Sequence, residues 1–262
     1  MDQQSQQAQA LCGSMSPLVW EAVKQAQTES VAPKFEGYPQ SFAPLCTAQK
    51  QFFIGQLGQS VDGRIATETG HSYYINCPEA LDHLHCLRAL CDAVIIGVET
   101  AICDNPQLTV RRVSGQNPAR IIIDPKGRLP SDARLLQTDD ARRIVVTMEG
   151  VTVNHPSGVE HITLPVDENG RLCCKQLSGK LSDFKRILVE GGAWTLSRFL
   201  AAGLLDRLHL MVAPMIIGAG PTGIQLPPIQ TLDEAIRPKA NWYHLGCDVL
   251  LDLDLRETNP KA

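Results

Sequence analysis

Three stretches of the chain gather residue types that can do chemistry. The first is Glu190-Gly191-Gly192-Ala193-Trp194-Thr195-Leu196-Ser197-Arg198. An apolar run ends in a glutamate, two glycines make a turn, and a helical pattern begins. Glycines at such a turn let a phosphate approach the backbone. The first turn of a helix adds unbonded N–H groups and the positive end of its dipole. The spacing differs from G-x-G-x-x-G, so the common dinucleotide fingerprint is absent. A glycine turn that only brings the helix close to its strand fits the same residues.

The second stretch runs from Gly97-Val98-Glu99-Thr100 to Asp104-Asn105-Pro106-Gln107-Leu108-Thr109-Val110-Arg111. Thr100 and Asp104 lie four apart and can share one face of a helical turn. There they could hydrogen-bond a ribose, a carboxamide or a backbone turn. Asp104-Asn105-Pro106 is also ordinary turn chemistry. The third stretch is Ser60-Val61-Asp62-Gly63-Arg64-Ile65-Ala66, followed by Gly70-His71-Ser72-Tyr73-Tyr74. A hydroxyl and an aromatic ring near a strand end suit phosphate contact and ring stacking, or simply a hairpin with a surface aromatic pair. Arg88 and Arg111 stand singly in apolar surroundings. Arginine is the usual bidentate partner of a phosphate, and equally a residue that lays its stem over a helix face.

These groups need a scaffold, and the apolar pattern supplies one. Residues 92–97, 120–124, 143–147 and 186–190 are short, continuous, β-branched runs with polar ends. Such strands are covered on both faces, as in a mainly parallel sheet. Residues 52–57 and 206–213 read as further strands. Residues 249–255 alternate, as an antiparallel edge strand would. Ser16-Pro17 opens a short amphipathic helix. Asn76 and Glu79 around Pro78 resemble a capping box for a helix to about Leu90. A third helix spans Ala193 to Ala202 and stops at Gly203. Residues 31–50, with Pro33, Gly37, Pro39 and Pro44, read as a linker or a draped arm, and the Gln-rich residues 1–14 as disordered. Strands alternating with helices give an α/β fold, with ligands at the carboxyl ends of the strands.

Composition bounds the function. The chain has 262 residues, 44% hydrophobic and 20% charged, enough for a core that needs neither disulfide nor metal. A net charge of −4 makes no electrostatic case for nucleic acid or an anionic membrane as the main partner. Nine cysteines without a CxxC pair point to free thiols in a reducing compartment. The start lacks a basic and an apolar signal region, and no apolar run nears the roughly 18 residues of a membrane span. A cytoplasmic protein is expected.

Taken in order, the segments at 60–66, 87–89, 92–97, 104–111, 120–124 and 190–192, with Gly203-Leu204-Leu205-Asp206 and Ala213-Pro214-Met215-Ile216-Ile217-Gly218, resemble the reductase domain of bacterial riboflavin biosynthesis. That domain is the C-terminal half of a bifunctional deaminase–reductase. The resemblance covers about residues 50–220. It implies a dihydrofolate-reductase-like fold, a mixed, mainly parallel sheet flanked by helices, over residues 50–258, preceded by an N-terminal extension over 1–49. It implies a homodimer, NADPH as cofactor, and reduction of the ribose of a phosphorylated ribosylamino-pyrimidine to a ribityl chain. By position, Tyr74, Thr100, Asp104 and the segment Gly191, Gly192, Ala193, Trp194, Thr195, Leu196, Ser197, Arg198 would hold NADPH. Ser72, Arg88, Leu108, Arg111 and Glu190 would hold substrate, with Glu190 the candidate catalytic residue.

The chain also departs from that pattern. Tyr74 stands where tryptophan is frequent, and Asn105 replaces the second aspartate of an Asp-Asp-Pro sequence. Pro125 stands where a hydroxyl residue helps bind the cofactor, so Lys126 or Arg128 becomes the candidate for its 2′-phosphate. The deaminase half has no counterpart: His83-Leu84-His85 lacks the glutamate of H-x-E, and P-C-x-x-C is absent. No zinc and no deamination are expected, and His83 and His85 read as ordinary helix residues. A reductase of the same fold with another substrate, or a nucleotide-binding partner of a separate deaminase, remains compatible with these residues.

Overall fold

The computed structural model describes residues 15–73, 75–167 and 170–256. Among them, nine strands form one sheet. In chain order they are β1 (Phe52–Ser60), β2 (Ala93–Gly97), β3 (Ala119–Ile123), β4 (Arg143–Met148), β5 (Val159–Leu164), β6 (Arg186–Glu190), β7 (Arg207–Ala213), β8 (Lys239–Leu245) and β9 (Asp248–Asp254). Across the sheet the order is β5-β4-β3-β2-β6-β1-β7-β9-β8. Every pair from β5 to β7 is parallel, and β9 pairs antiparallel with both β7 and β8. The mixed, mainly parallel α/β sheet expected from the apolar runs is present.

The β-branched runs are buried on both faces because helices cover both. On one face α1 (Pro17–Glu29), α2 (Ala43–Thr47) and α3 (Pro78–Leu90) pack Val23, Leu45 and Leu87 into the core that holds Ile54, Val94 and Leu188. On the other, α6 (Cys174–Lys180) and α7 (Ala193–Ala201) bring Leu177, Leu196 and Phe199 to Phe53, Ile95 and Val189. The short helices α4 (Val98–Asp104) and α5 (Arg134–Gln137) follow β2 and β3. Ser16 caps α1 as its sequence indicates, accepting the Val19 N–H at 3.3 Å.

Several local expectations are corrected. Asn76 and Glu79 form no capping box. Cys77 is the N-cap of α3 without a side-chain cap bond, and Asn76 turns its amide to Asp248 at 2.9 Å. Residues 31–50 are no linker. A 3-10 turn (Tyr38–Phe42) and α2 bury Tyr38, Phe42, Leu45 and Cys46 in the main core. β9 is not an edge strand, since β8 lies outside it. β5 and β8 were not anticipated because edge strands carry exposed polar residues and lack a continuous apolar run.

His83 and His85 are residues of helix α3, as expected, and both are buried. The Tyr38 hydroxyl meets His83 Nδ1 at 2.8 Å, and His83 Nε2 meets His209 Nδ1 at 2.9 Å. His209 Nε2 stands 3.2 Å from Asp252 Oδ1, and Arg207 grips the same carboxylate at 2.6 and 2.9 Å. This column ties the 3-10 turn to α3, β7 and β9. Burial, and then the adjacent His209, push His83 well below its ordinary value. Burial, and then the guanidinium of Arg88, push His85 down to about 3.

Both imidazoles are therefore neutral when folded and free to protonate when unfolded. The unfolded chain binds more protons below the ordinary value of 6.5, so stability is full above it and falls as the pH drops from there towards about 3. Thermal melts should show a folded state weaker at pH 5 than at pH 7, by roughly 2 kcal/mol for His85 alone. His85→Asn keeps an acceptor in place of Nδ1 and should flatten that fall. An unchanged slope in the variant would remove His85 from the account.

Candidate active site

Two loops at the carboxyl ends of β2 and β6 interlock through their glycines. A Cβ at Gly97 would lie 2.5 Å from Thr195 Oγ1, and one at Gly192 would lie 2.8 Å from Thr100 Oγ1. Gly191 and Gly192 also have φ of +62° and +59°, a backbone region that side chains disfavour. Only glycines let the hydroxyls of Thr100 and Thr195 close over this turn. Beside it a cleft is lined by Gly97, Thr100, Arg128, Gly192, Trp194, Thr195 and Arg198.

The start of α7 opens this cleft to an anion. The N–H groups of Ala193, Trp194 and Thr195 precede the first intrahelical bond, which runs from the Leu196 N–H to the Gly192 carbonyl at 3.2 Å. Leu196 and Ser197, expected at the cofactor, turn away. Leu196 packs in the core beside Gly55, and Ser197 Oγ accepts the Gln225 N–H at 2.8 Å. Trp194 leaves 56% of its surface exposed, with the Arg171 guanidinium 5.3 Å from its ring centre. Arg128 forms an ion pair with Glu99 at 2.6 Å. Lys126 is exposed and does not line this cleft.

Next to the cleft stands a buried ion pair. Arg88 donates Nε–H to Glu190 Oε2 at 2.8 Å and Nη2–H to Oε1, and its Nη1–H reaches the Thr109 carbonyl at 3.1 Å. Two of its five N–H groups are left for a ligand. Each Glu190 oxygen accepts an arginine N–H. Burial, and then the Glu190 charge, push Asp104 upward.

Arg111 completes the group. Its backbone N–H donates to His85 Nδ1 at 3.1 Å, and Nη1 reaches Thr109 Oγ1 at 3.4 Å. Among the described residues no carboxylate lies within ion-pair distance of its guanidinium. Burial, and then Arg88 and Arg134, lower its pKa. The exposed guanidinium, near Arg88 and Arg134 and with Glu190 acting on it only at a distance, is open to an anionic ligand. The loop that delivers it is strained: Asn105 has φ +39° and the buried Leu108 φ +54°. A bulky residue in that region costs about 1–3 kcal/mol and persists where the surroundings dictate it.

Ser72 lies in the loop between β1 and α3, and Tyr74 falls outside the described residues. Two residues escaped sequence reasoning. Gln56, nearly buried, sits on β1 in register with Glu190. A lone glutamine inside the run Phe52–Leu57 was the available signal. Arg134, whose charge acts on Arg111, carries no sequence signal of its own, because α5 approaches only through the Asn105 side chain that accepts its N–H at 2.9 Å.

The sequence profile of the RibD C-terminal domain matches residues 51–251. The chain belongs to this family. Among relatives of the RibD C-terminal domain, the riboflavin biosynthesis protein RibD of Aquifex aeolicus is 34% identical, over 81% of this chain and 60% of that protein. The 2,5-diamino-6-ribosylamino-4(3H)-pyrimidinone 5′-phosphate reductase of Methanothermobacter thermautotrophicus is 30% identical, over 79% of this chain and 99% of that protein. The chain thus spans about 60% of the length of the Aquifex RibD. The Thermotoga maritima deaminase/5-amino-6-(5-phosphoribosylamino)uracil reductase has a TM-score of 0.67 at 27% identity, over 82% of this chain and 59% of that one. The Saccharomyces cerevisiae riboflavin biosynthesis reductase shares the fold at TM-score 0.66 and 21% identity, over 88% of this chain and 98% of that one. The dihydrofolate-reductase-like expectation for the RibD C-terminal domain holds.

Gly192→Ala should lower unfolding free energy by about 1–3 kcal/mol, through its positive φ and the contact with Thr100. Adding Thr100→Ala should recover the steric part and leave the backbone part. Urea denaturation of the two variants measures both, and a neutral Gly192→Ala would disprove the interlock.

Proposed function

We propose that this chain is an NADPH-dependent reductase that converts the ribosyl group of a 5-amino-6-(5-phosphoribosylamino)uracil-type pyrimidine into a ribityl chain. One observation carries the reading. The glycine cradle and α7 N-terminus, suited to a dinucleotide, open beside the buried Arg88–Glu190 pair and the counterion-free Arg111. The names of the Methanothermobacter and Thermotoga relatives support the same chemistry.

The residues present fit the cofactor, since the unbonded N–H groups that begin α7 lie beside a cleft lined by Thr100, Trp194 and Thr195. Ala193, Trp194 and Thr195 offer N–H groups to its diphosphate, Thr100 and Asp104 hydrogen-bond its nicotinamide half, and Arg128 reads the 2′-phosphate by exchanging Glu99 for it. When bound, NADPH supplies a hydride to the first carbon of the opened sugar. The protein's own work is binding and orientation. Arg111, with the free N–H groups of Arg88 and the hydroxyl of Ser72, holds the substrate phosphate. Leu108 packs against the base. Glu190, fixed by Arg88, accepts hydrogen bonds from the pyrimidine or the sugar hydroxyls. Anchoring the remote phosphate converts binding energy into alignment of the reacting carbon.

A second copy of the chain is the partner we assign to the apolar groove lined by Leu226, Ile229, Ile236, Leu253 and Leu255, beside the exposed Trp242 of β8. The described cysteines are all free, which fits the cytoplasm, and no helix among the described residues is long and apolar enough to cross a membrane.

The test is NADPH oxidation with the deaminated and the non-deaminated pyrimidine phosphates. Turnover with neither would overturn the assignment. Arg111→Ala should raise the substrate KM at least ~10-fold, the loss of roughly 1.4 kcal/mol or more, with the NADPH KM nearly unchanged. Arg128→Ala should do the reverse, weakening NADPH and leaving NADH as it was. Equal losses of both ligands in the Arg111 variant would contradict the phosphate role.

A further inference from the structure

The sequence offers no metal-ligand spacing, yet the fold assembles a donor set from residues that do not line the cleft. Cys77 is the N-cap of α3, and Cys247 and Asp248 form the turn and first residue of the β8–β9 hairpin. One ligand atom from each lies within 4.8 Å of the others. The Cys77 thiol points at the Leu245 carbonyl at 2.8 Å. Asp248 is fully buried. Its Oδ2 takes two N–H groups, from Asn76 and from the Cys77 backbone, each at 2.9 Å. Its Oδ1 faces only the Cys247 thiol, at 3.6 Å.

Glu79 crowds the same turn. A Cβ at Gly246 would lie 2.4 Å from Glu79 Oε2 and 3.1 Å from Cys77 Sγ. Gly246 has φ +60°, so the tight turn and the space between carboxylate and thiol both require glycine. Among the described residues neither Glu79 nor Asp248 has a cation within ion-pair distance. A buried carboxylate without a countercharge is an expensive arrangement. Two sulfurs and one carboxylate oxygen, drawn from two elements, are three of the four donors of a tetrahedral soft divalent ion, and water completes the set. The distances need to contract by only about 1 Å to meet such an ion.

We propose that Cys77, Cys247 and Asp248 form a site for a divalent cation of the zinc class, which fastens the β8–β9 turn to the start of α3. Binding exchanges the two thiol protons for the ion. The cation supplies the countercharge that Asp248 lacks. The site is separate from the reductase cleft and from any deaminase zinc motif.

The experiment adds Co2+, and separately Zn2+, to the reduced, chelator-treated full chain. One equivalent should bind, with thiolate-to-cobalt charge-transfer absorption that Zn2+ displaces. Cys247→Ser, a change in an exposed turn, should abolish the absorption and leave the melting curve of the metal-free protein unchanged. Cys77→Ser should abolish it as well. Cys103→Ser, at an exposed cysteine of α4, should retain it. Absorption that survives Cys247→Ser would overturn the proposal. So would its absence from the folded wild-type chain, or a Cys77–Cys247 disulfide in place of metal in freshly purified protein.

Discussion

Arg88 and Glu190 meet across a wall of apolar side chains, and the site is arranged around that contact. Glu190 ends β6, and Arg88 lies in the last turn of α3. Both are nearly buried, so neither charge has water to satisfy it. A pair of this kind contributes little net stability against an apolar replacement. Removal of one partner alone strands the other, at about 3–5 kcal/mol. What the pair supplies is position. It ties α3 to the end of β6, draws in the Thr109 carbonyl, and orients the Glu190 carboxyl group. Arg111 lies two residues on from Thr109, beside the Thr109 hydroxyl.

The rest of the molecule resists movement of that contact. The strand β6 lies between β2 and β1, hydrogen-bonded on both sides, and cannot shift without slipping two registers. Helix α3 is held from its other flank by Tyr38, His83, His209 and Asp252, a chain of buried polar contacts that reaches β9. The segment before β1 takes part in this, since Tyr38, Phe42 and Leu45 pack in the same core as Leu87. On the opposite face, Thr195 over Gly97 and Thr100 over Gly192 lock α7 to α4. The two halves of the cleft are thus braced from opposite sides of the sheet.

Much of this could be read from the chain, because its causes are local. Short β-branched runs with polar ends need cover on both faces, and β2, β3, β4 and β6 followed. Two glycines before a helix mark a turn that a side chain cannot occupy, and Gly191 and Gly192 proved to need it. Thr100 and Asp104 share a helical face by spacing alone. Edge strands were lost for the converse reason, as β5 and β8 are too polar to announce themselves. The apparent capping box at Asn76 failed because Asp248, from the far end of the chain, competes for the Asn76 side chain.

The amino-acid sequence by itself determined the parallel sheet, the glycine turns and the residue types brought to the cleft, since periodicity and backbone sterics act over a few neighbours. Only the tertiary structure decided who meets whom. Glu190 is 102 residues from Arg88 and becomes its partner through the placement of β6 beside β1 and β2. Arg111 comes close enough to feel the charges of Arg88, Arg134 and Glu190, and Cys77 meets Cys247 through the packing of the β8–β9 turn on the start of α3. Strand order and burial set these encounters, and neither is encoded in the spacing of the residues that meet.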